Sequence, residues 1–271
     1  MKRRFAETLG LLVFLLALPT ATAWAQVPAV RAQVVAVVGA GKAAQFRVPQ
    51  VRLPDEGAAG RINGRIAQVV AGYAEQPLDS TAALPRQLRQ AAALACCLSG
   101  SRYQVLLNQS ALLSLKLTLE FHGAYYYERT IHLNFDLRTG RQLALADLLA
   151  DPPAQLQRRL EAAINRRIGE FLADSSTHDR ATRADLAERF HWDAQARRVR
   201  FGPAGKAATA TPPSLGEFAL TSHAVLLFYR VGLPATMLLN TPDEVYRFPY
   251  AKLRPTGLLV ELNERLEAGG K

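Results

Sequence analysis

The alternation of apolar and polar positions is clearest between residues 113 and 137. From Leu113 to Phe121 every odd position is apolar, and the even positions are Ser114, Lys116, Thr118, Glu120 and His122. The same alternation returns at Ile131, Leu133, Phe135 and Leu137, with Thr130, His132, Asn134 and Asp136 as the polar set. Successive side chains of a strand point to opposite faces, so this period of two predicts two half-buried strands. His122-Gly123-Ala124 can turn the chain between them. The expectation is an antiparallel hairpin with one apolar and one polar face.

Elsewhere apolar residues recur at intervals of three and four, the spacing that lines one side of a helix. Ala58, Ile62, Ile66, Val69 and Tyr73 predict one amphipathic helix, and Leu156, Leu160, Ile164, Ile168 and Phe171 a longer one. Asp151-Pro152 is expected to open the latter, since aspartate can accept from unpaired N–H groups and proline suits a first turn. Further helices are expected from about Arg86 to Cys97, stopped by Ser99-Gly100-Ser101, from Leu186 to Phe190, and near Leu258 to Leu266. Strands are expected at Val34 to Val38, Gln45 to Leu53, Arg198 to Phe201, Glu217 to Leu220, Ala224 to Arg230 and around Val245 to Phe248. Residues 174–183 and 202–214 read as loops. Helices interleaved with hairpins favour an α+β fold, a largely antiparallel sheet with helices packed on one side.

The first residues read as an address. Lys2, Arg3 and Arg4 precede the apolar run Leu11 to Leu18, and Ala23-Trp24-Ala25 supplies small residues at a cleavage site. The run is shorter than the roughly 20 residues a membrane-spanning helix takes. The organisation expected is a signal peptide (1–25), a leader (26–33), two halves of one α+β unit (34–137 and 138–266) and a tail (267–271). No transmembrane span is expected to remain after signal cleavage. The product would be exported, to the periplasm or beyond the cell.

The chain has 271 residues, with 33 Lys+Arg against 23 Asp+Glu, a formal charge of +10. Most of that excess lies outside the signal peptide. A basic exported protein can meet anionic wall polymers, lipid head groups or acidic proteins, whereas nucleic acid is not an expected partner there. The only two cysteines, Cys96 and Cys97, are adjacent. Neighbouring cysteines bridge each other poorly, so small buried thiols are expected, with an intermolecular disulfide as the alternative.

No nucleophile elbow, zinc-protease helix, phosphate loop or dinucleotide fingerprint occurs, and the five histidines have no metal-ligand spacing. No catalytic residue, metal or cofactor is therefore expected. Two groups are candidates for binding. One is Tyr125-Tyr126-Tyr127 at the hairpin tip, because tyrosine offers large area with few torsions to freeze. The other is the polar face, Lys116, Thr118, Glu120 and His132, which reads equally as a solvated surface. Acid–base chemistry by Glu120 and His132 would instead make a cell-wall glycan hydrolase. The pairs Arg158-Arg159, Arg166-Arg167 and Arg197-Arg198 open a third reading, a binder of anionic polymers. The alternative there is a solvated helix face, with Glu161 and Glu170 spaced to pair with the arginines of their own helix.

The run Tyr126 to Leu149, Y-Y-E-R-T-I-H-L-N-F-D-L-R-T-G-R-Q-L-A-L-A-D-L-L, resembles a family. It is similar to the extracytoplasmic domain of unknown function found in RsiV-type anti-sigma factors and PdaC-type peptidoglycan deacetylases. Asn134, Asp136, Leu137, Thr139, Gly140, Leu143, Leu145, Asp147 and Leu148 carry the likeness. Ile62-Asn63 with Ile66, and the late run F-A-L-T-S-H-A-V-L-L-F-Y, extend it. After Tyr229 the chain departs from the pattern, with Arg230 to Thr236 where the family has a Y-E-I-A-P-Y-like segment. The resemblance implies structural roles for Asn134, Asp136, Thr139, Gly140 and Asp147, and a non-enzymatic sensor or binding module at the cell envelope. Lysozyme or peptidoglycan is the ligand it suggests.

Overall fold

The computed structural model describes residues 30–38, 46–72, 98–174, 176, 179–203, 209–233 and 241–269. The signal segment, the cysteines and the helix expected over residues 86–97 lie outside them.

Strand β1 (Gln33–Val38) pairs antiparallel with β2 (Arg47–Arg52). Helix α1 (Glu56–Ala71) follows, and the Asp55 carboxylate accepts from the Ala58 N–H at 3.0 Å, satisfying one donor of its first turn. Asn63 ties this helix to β2. Its Nδ2 donates to Val51 O at 2.9 Å and its Oδ1 accepts from Val51 N at 2.8 Å.

Strands β3 (Leu98–Gln109), β4 (Leu112–His122) and β5 (Tyr126–Asp136) form an antiparallel sheet in that order. The odd residues of β4, with Leu133 and Phe135 of β5, pack against Phe46, Val48, Ile62 and Ile66. Each such fully buried side chain contributes about 1.5–3 kcal/mol. Ser99-Gly100-Ser101, expected as a stop signal, belongs to β3. Register shifts between Leu98 and Gly100 and between Val105 and Leu107 interrupt the alternation of that strand, which hides it in the sequence.

The second half begins with a 3₁₀ turn (Leu145–Asp147) and helix α2 (Pro153–Ala173). The Asp151 carboxylate does not cap α2: its Oδ2 accepts from Arg254 N at 2.6 Å, and the helix starts on Pro152 without a side-chain cap. Helix α3 (Arg180–Arg189) starts earlier than the apolar pattern suggests, because Asp179 caps it by accepting from Thr182 N at 2.7 Å. Two-residue strands β6 (Trp192–Asp193) and β7 (Arg198–Val199) pair with each other. Strands β8 (Phe218–Leu220), β9 (Ala224–Phe228) and β10 (Val245–Pro249) form a sheet ordered β10-β9-β8, and helix α4 (Leu258–Gly269) closes the chain. Leu156, Leu160, Ile164 and Ile168 of α2 are buried in one cluster with Leu220, Leu227, Tyr246 and Leu259.

The fold is mixed α+β, and the antiparallel pairs of the described residues fall into four small sheets. None of the described helices is long and apolar enough to cross a membrane. The polar face of the β4–β5 hairpin is partly covered. Asn134 Nδ2 donates to Phe218 O at 2.7 Å, and Ser114 Oγ accepts from Leu220 N at 3.0 Å. Ser114 and Asn134 are consequently buried, and so is Thr118. Ser114 and Asn134, which looked like part of a uniform solvated face, serve instead as hydrogen-bonding partners for edge strand β8, and the face opens to solvent toward the tip.

Candidate functional site

The β4–β5 register sets His122 opposite Tyr126, Glu120 opposite Glu128, Thr118 opposite Thr130 and Lys116 opposite His132. At about 3.4 Å per residue, Lys116 and the turn are some 20 Å apart. The candidate residues therefore divide between the two ends of one hairpin, with buried Thr118 in between.

At the tip, Tyr125 is 84% exposed, Tyr126 52% and Tyr127 54%. The Tyr127 ring stacks on Phe121 with centroids 4.7 Å apart, and Tyr126 meets the His122 ring edge-on at 4.9 Å. Tyr126 Oη donates to Glu128 Oε1 at 2.6 Å. Arg102 of β3 reaches Glu128 Oε2 at 2.6 Å and also bonds Glu120 Oε1. The Arg102 guanidinium holds the Glu128 carboxyl below its usual range, and donation to Glu128 pushes the Tyr126 phenol up. Single exposed ion pairs contribute little, but this network spans all three strands and fixes the Tyr126 hydroxyl through Glu128. Glu120 is thus a member of a bracing network.

At the other end His132 is nearly sealed, with its side chain 3% exposed. Its ring stacks on Phe228 at 3.9 Å, and its Nδ1 lies 3.0 Å from Glu217 Oε1. A carboxylate only accepts, so Nδ1 carries the hydrogen, and a ring with its single hydrogen there would present Nε2 as an acceptor. The hydrogen bond from His132 draws the Glu217 carboxyl below its usual range. Beside the pair lies a cavity of about 680 Å³, lined by His132, Asn134 and Asp151 among leucines 143, 145, 149 and 156 and Phe218. That volume falls within the range of small-molecule sites. The Asn134 Oδ1 is buried there without a hydrogen-bond partner, while its Nδ2 is held by Phe218 O. His132 and Glu120 are four residues of register apart and cannot act together on one bond. Glu217, the true partner of His132, stands 85 positions away next to a three-residue strand. Nothing local in the sequence joins the two.

The remaining motif residues shape a turn. Asp136 Oδ1 accepts from Arg138 N at 2.8 Å and Oδ2 from Thr139 Oγ1 at 2.7 Å. Gly140 has φ +70°, and its N–H donates to Asp136 O at 2.8 Å. Asp147 Oδ2 accepts from Ala144 N at 2.7 Å and pairs with Arg141 at 3.0 Å. Among the described residues, no cluster of three histidine, cysteine or acidic side chains is placed to hold a metal ion.

No family model matches the chain, and no curated protein does. Solved structures do. A DUF3298 family protein from Pseudomonas aeruginosa superposes with a TM-score of 0.51 at 19% identity, over 86% of this chain and 95% of that one. A member of the DUF3298 family from Bacteroides fragilis gives a TM-score of 0.46 at 15% identity, over 86% and 96%. The likeness to the first is one of fold, and the fold it supports is the mixed α+β architecture described above.

Proposed function

We propose that this chain is an exported, non-enzymatic binding domain of the bacterial cell envelope that grips a protein ligand with its hairpin tip. One observation carries the reading: three adjacent tyrosines stand exposed at one end of the three-stranded β3–β4–β5 sheet, and ring contacts and the Arg102–Glu120–Glu128 network hold two of them in place. Soluble proteins seldom leave aromatic area exposed without use, and aromatic anchors that are already ordered lose little entropy on binding. The leader motif supports export. The similarity of Tyr126 to Leu149 to the RsiV/PdaC-type domain makes lysozyme the first ligand to test and peptidoglycan the second.

The test is binding of the purified chain to lysozyme and to peptidoglycan, each at low and high salt. Lysozyme is basic and so is this chain, so charge alone does not draw them together. Salt-tolerant binding to lysozyme supports a specific surface. Absence of binding to both ligands removes the proposal.

The His132–Glu217 pair beside the cavity favours a second reading, in which Nε2 takes a proton from a substrate or a water. Release of labelled peptidoglycan fragments that disappears in His132→Ala would support a hydrolase. No release by the wild-type chain eliminates it.

A further inference from the structure

A second surface lies away from the hairpin, where α2 runs beside β10. A groove of about 450 Å³ there is lined by Arg159, Arg166 and Arg167 on the helix and by Arg247 and Lys252 on the facing wall. Glu170 is the single acidic residue of the lining. Arg159 and Arg166 are seven residues apart, two helical turns and about 10 Å along one face.

Two of these cations are built into the wall. Arg159 donates to Lys252 O at 2.8 Å and lies 5.6 Å over the Phe248 ring. Arg167 donates to Asp243 O at 2.6 Å and Val245 O at 2.8 Å and covers the Tyr246 ring at 4.1 Å. The nearest carboxylates to them, Asp151 and Asp243, stand at 3.6 and 3.7 Å. The other three are uncommitted: among the described residues the side chains of Arg166, Arg247 and Lys252 make no hydrogen bond or ion pair. The pairing expected between Arg166 and Glu170 on the same helix face is not formed.

We infer that this groove is an anion site for a ligand carrying two or more phosphate groups. Three unneutralised cations around a fixed pair of guanidiniums present a strong positive potential in a concavity, where field lines focus. Guanidinium and ammonium groups both bind phosphate well, and a span of about 10 Å exceeds one phosphate group. A bilayer surface fits the groove poorly. It is concave, its aromatic rings are buried under arginines, and the large exposed apolar side chains of the described residues lie elsewhere, at Val105, Tyr125, Tyr126, Tyr127 and Val260. The inference stands apart from the proposed function, since the two surfaces share no residue.

The experiment is calorimetric titration of the purified chain with inorganic tripolyphosphate at low and high salt, beside flotation with vesicles of phosphatidylglycerol and phosphatidylcholine. Saturable tripolyphosphate binding that weakens with salt is expected. The double variant R166E/R247E should weaken it by about tenfold or more, with an unchanged Tm because both side chains are exposed and uncommitted. Tyr126→Ala should leave it unaffected. No binding by about 1 mM tripolyphosphate overturns the inference, as does binding that R166E/R247E leaves intact. Vesicle binding without tripolyphosphate binding overturns it in favour of a membrane surface.

Discussion

Gly140 lies directly against the backbone of Ala58, so closely that a Cβ built on it would sit 2.4 Å from the Ala58 carbonyl oxygen. Its φ of +70° is in addition a conformation that side chains other than hydrogen resist. The contact locks the turn after β5 onto the first turn of α1, and from the next turn Arg61 Nε donates to Thr139 O at 2.7 Å. Backbone strain and the clash act together in Gly140→Ala, which should lose about 2–4 kcal/mol in urea denaturation. A loss below about 0.5 kcal/mol, the scatter of ordinary surface substitutions, would mean that the turn detaches from α1 without consequence.

The strands and helices that the chain announces are those whose pattern is local. Leu113 to Phe121 alternates without a break, and Leu156 to Ile168 repeats at helical spacing, so one buried face of each could be read directly. Strand β3 was hidden because two irregularities let consecutive residues such as Leu106 and Leu107 break the period. The burial of Ser114 and Asn134 was hidden for a different reason. Polar residues are assigned to water by default, and only the arrival of β8, 84 positions from Asn134 and 106 from Ser114 by their bonds, turns them inward. The tip tyrosines were visible as a run of three, but Arg102, which holds Glu128 in place for Tyr126, carries no mark of its role outside the folded sheet.

Asn63 should matter more than a half-buried polar residue on a helix usually does. Its amide closes both hydrogen bonds of the Val51 backbone, and Val51 is itself buried. Asn63→Ala leaves one donor and one acceptor unpaired, a loss of about 1–3 kcal/mol. Asn63→Asp keeps the acceptor and faces the Val51 carbonyl with a second oxygen, so it should recover at most part of that stability. Full stability in Asn63→Ala by thermal denaturation would refute the clamp.

The His132–Glu217 bond gives a definite acid dependence. The Glu217 carboxyl is lowered from an ordinary value of 4.5, chiefly by the hydrogen bond from His132. A depressed carboxylate stabilises the fold above its unfolded pKa and loses that contribution as pH falls through the folded one. The stability gap between wild type and Glu217→Gln should therefore shrink as the pH falls below about 4.5. Because Glu217 keeps 41% of its side chain exposed, water screens the pair and the gap should stay within about 1 kcal/mol. A gap that widens on acidification would show that the bond does not stabilise the charged carboxylate.

The tip can be tested for anchoring and for bracing separately. Tyr126→Ala removes a ring that is 52% exposed, and if the tip grips the ligand it should weaken lysozyme binding by about 10- to 30-fold, the loss typical of an interface anchor. Its Tm should barely move, since the ring is not part of the core. Tyr126→Phe keeps the ring and its contact with His122 while losing the 2.6 Å bond to Glu128. That variant should lie between the two, because the anchor stays and only its orientation loosens. Arg102→Met, remote from the tyrosine rings in sequence, should resemble Tyr126→Phe: it frees Glu128 and Glu120 together at a stability cost of no more than about 1 kcal/mol. Equal affinity in Tyr126→Ala and wild type would take the tip out of the site. Equal losses in Tyr126→Ala and Arg102→Met would instead mean that binding depends on the order of the arm more than on the area of the ring.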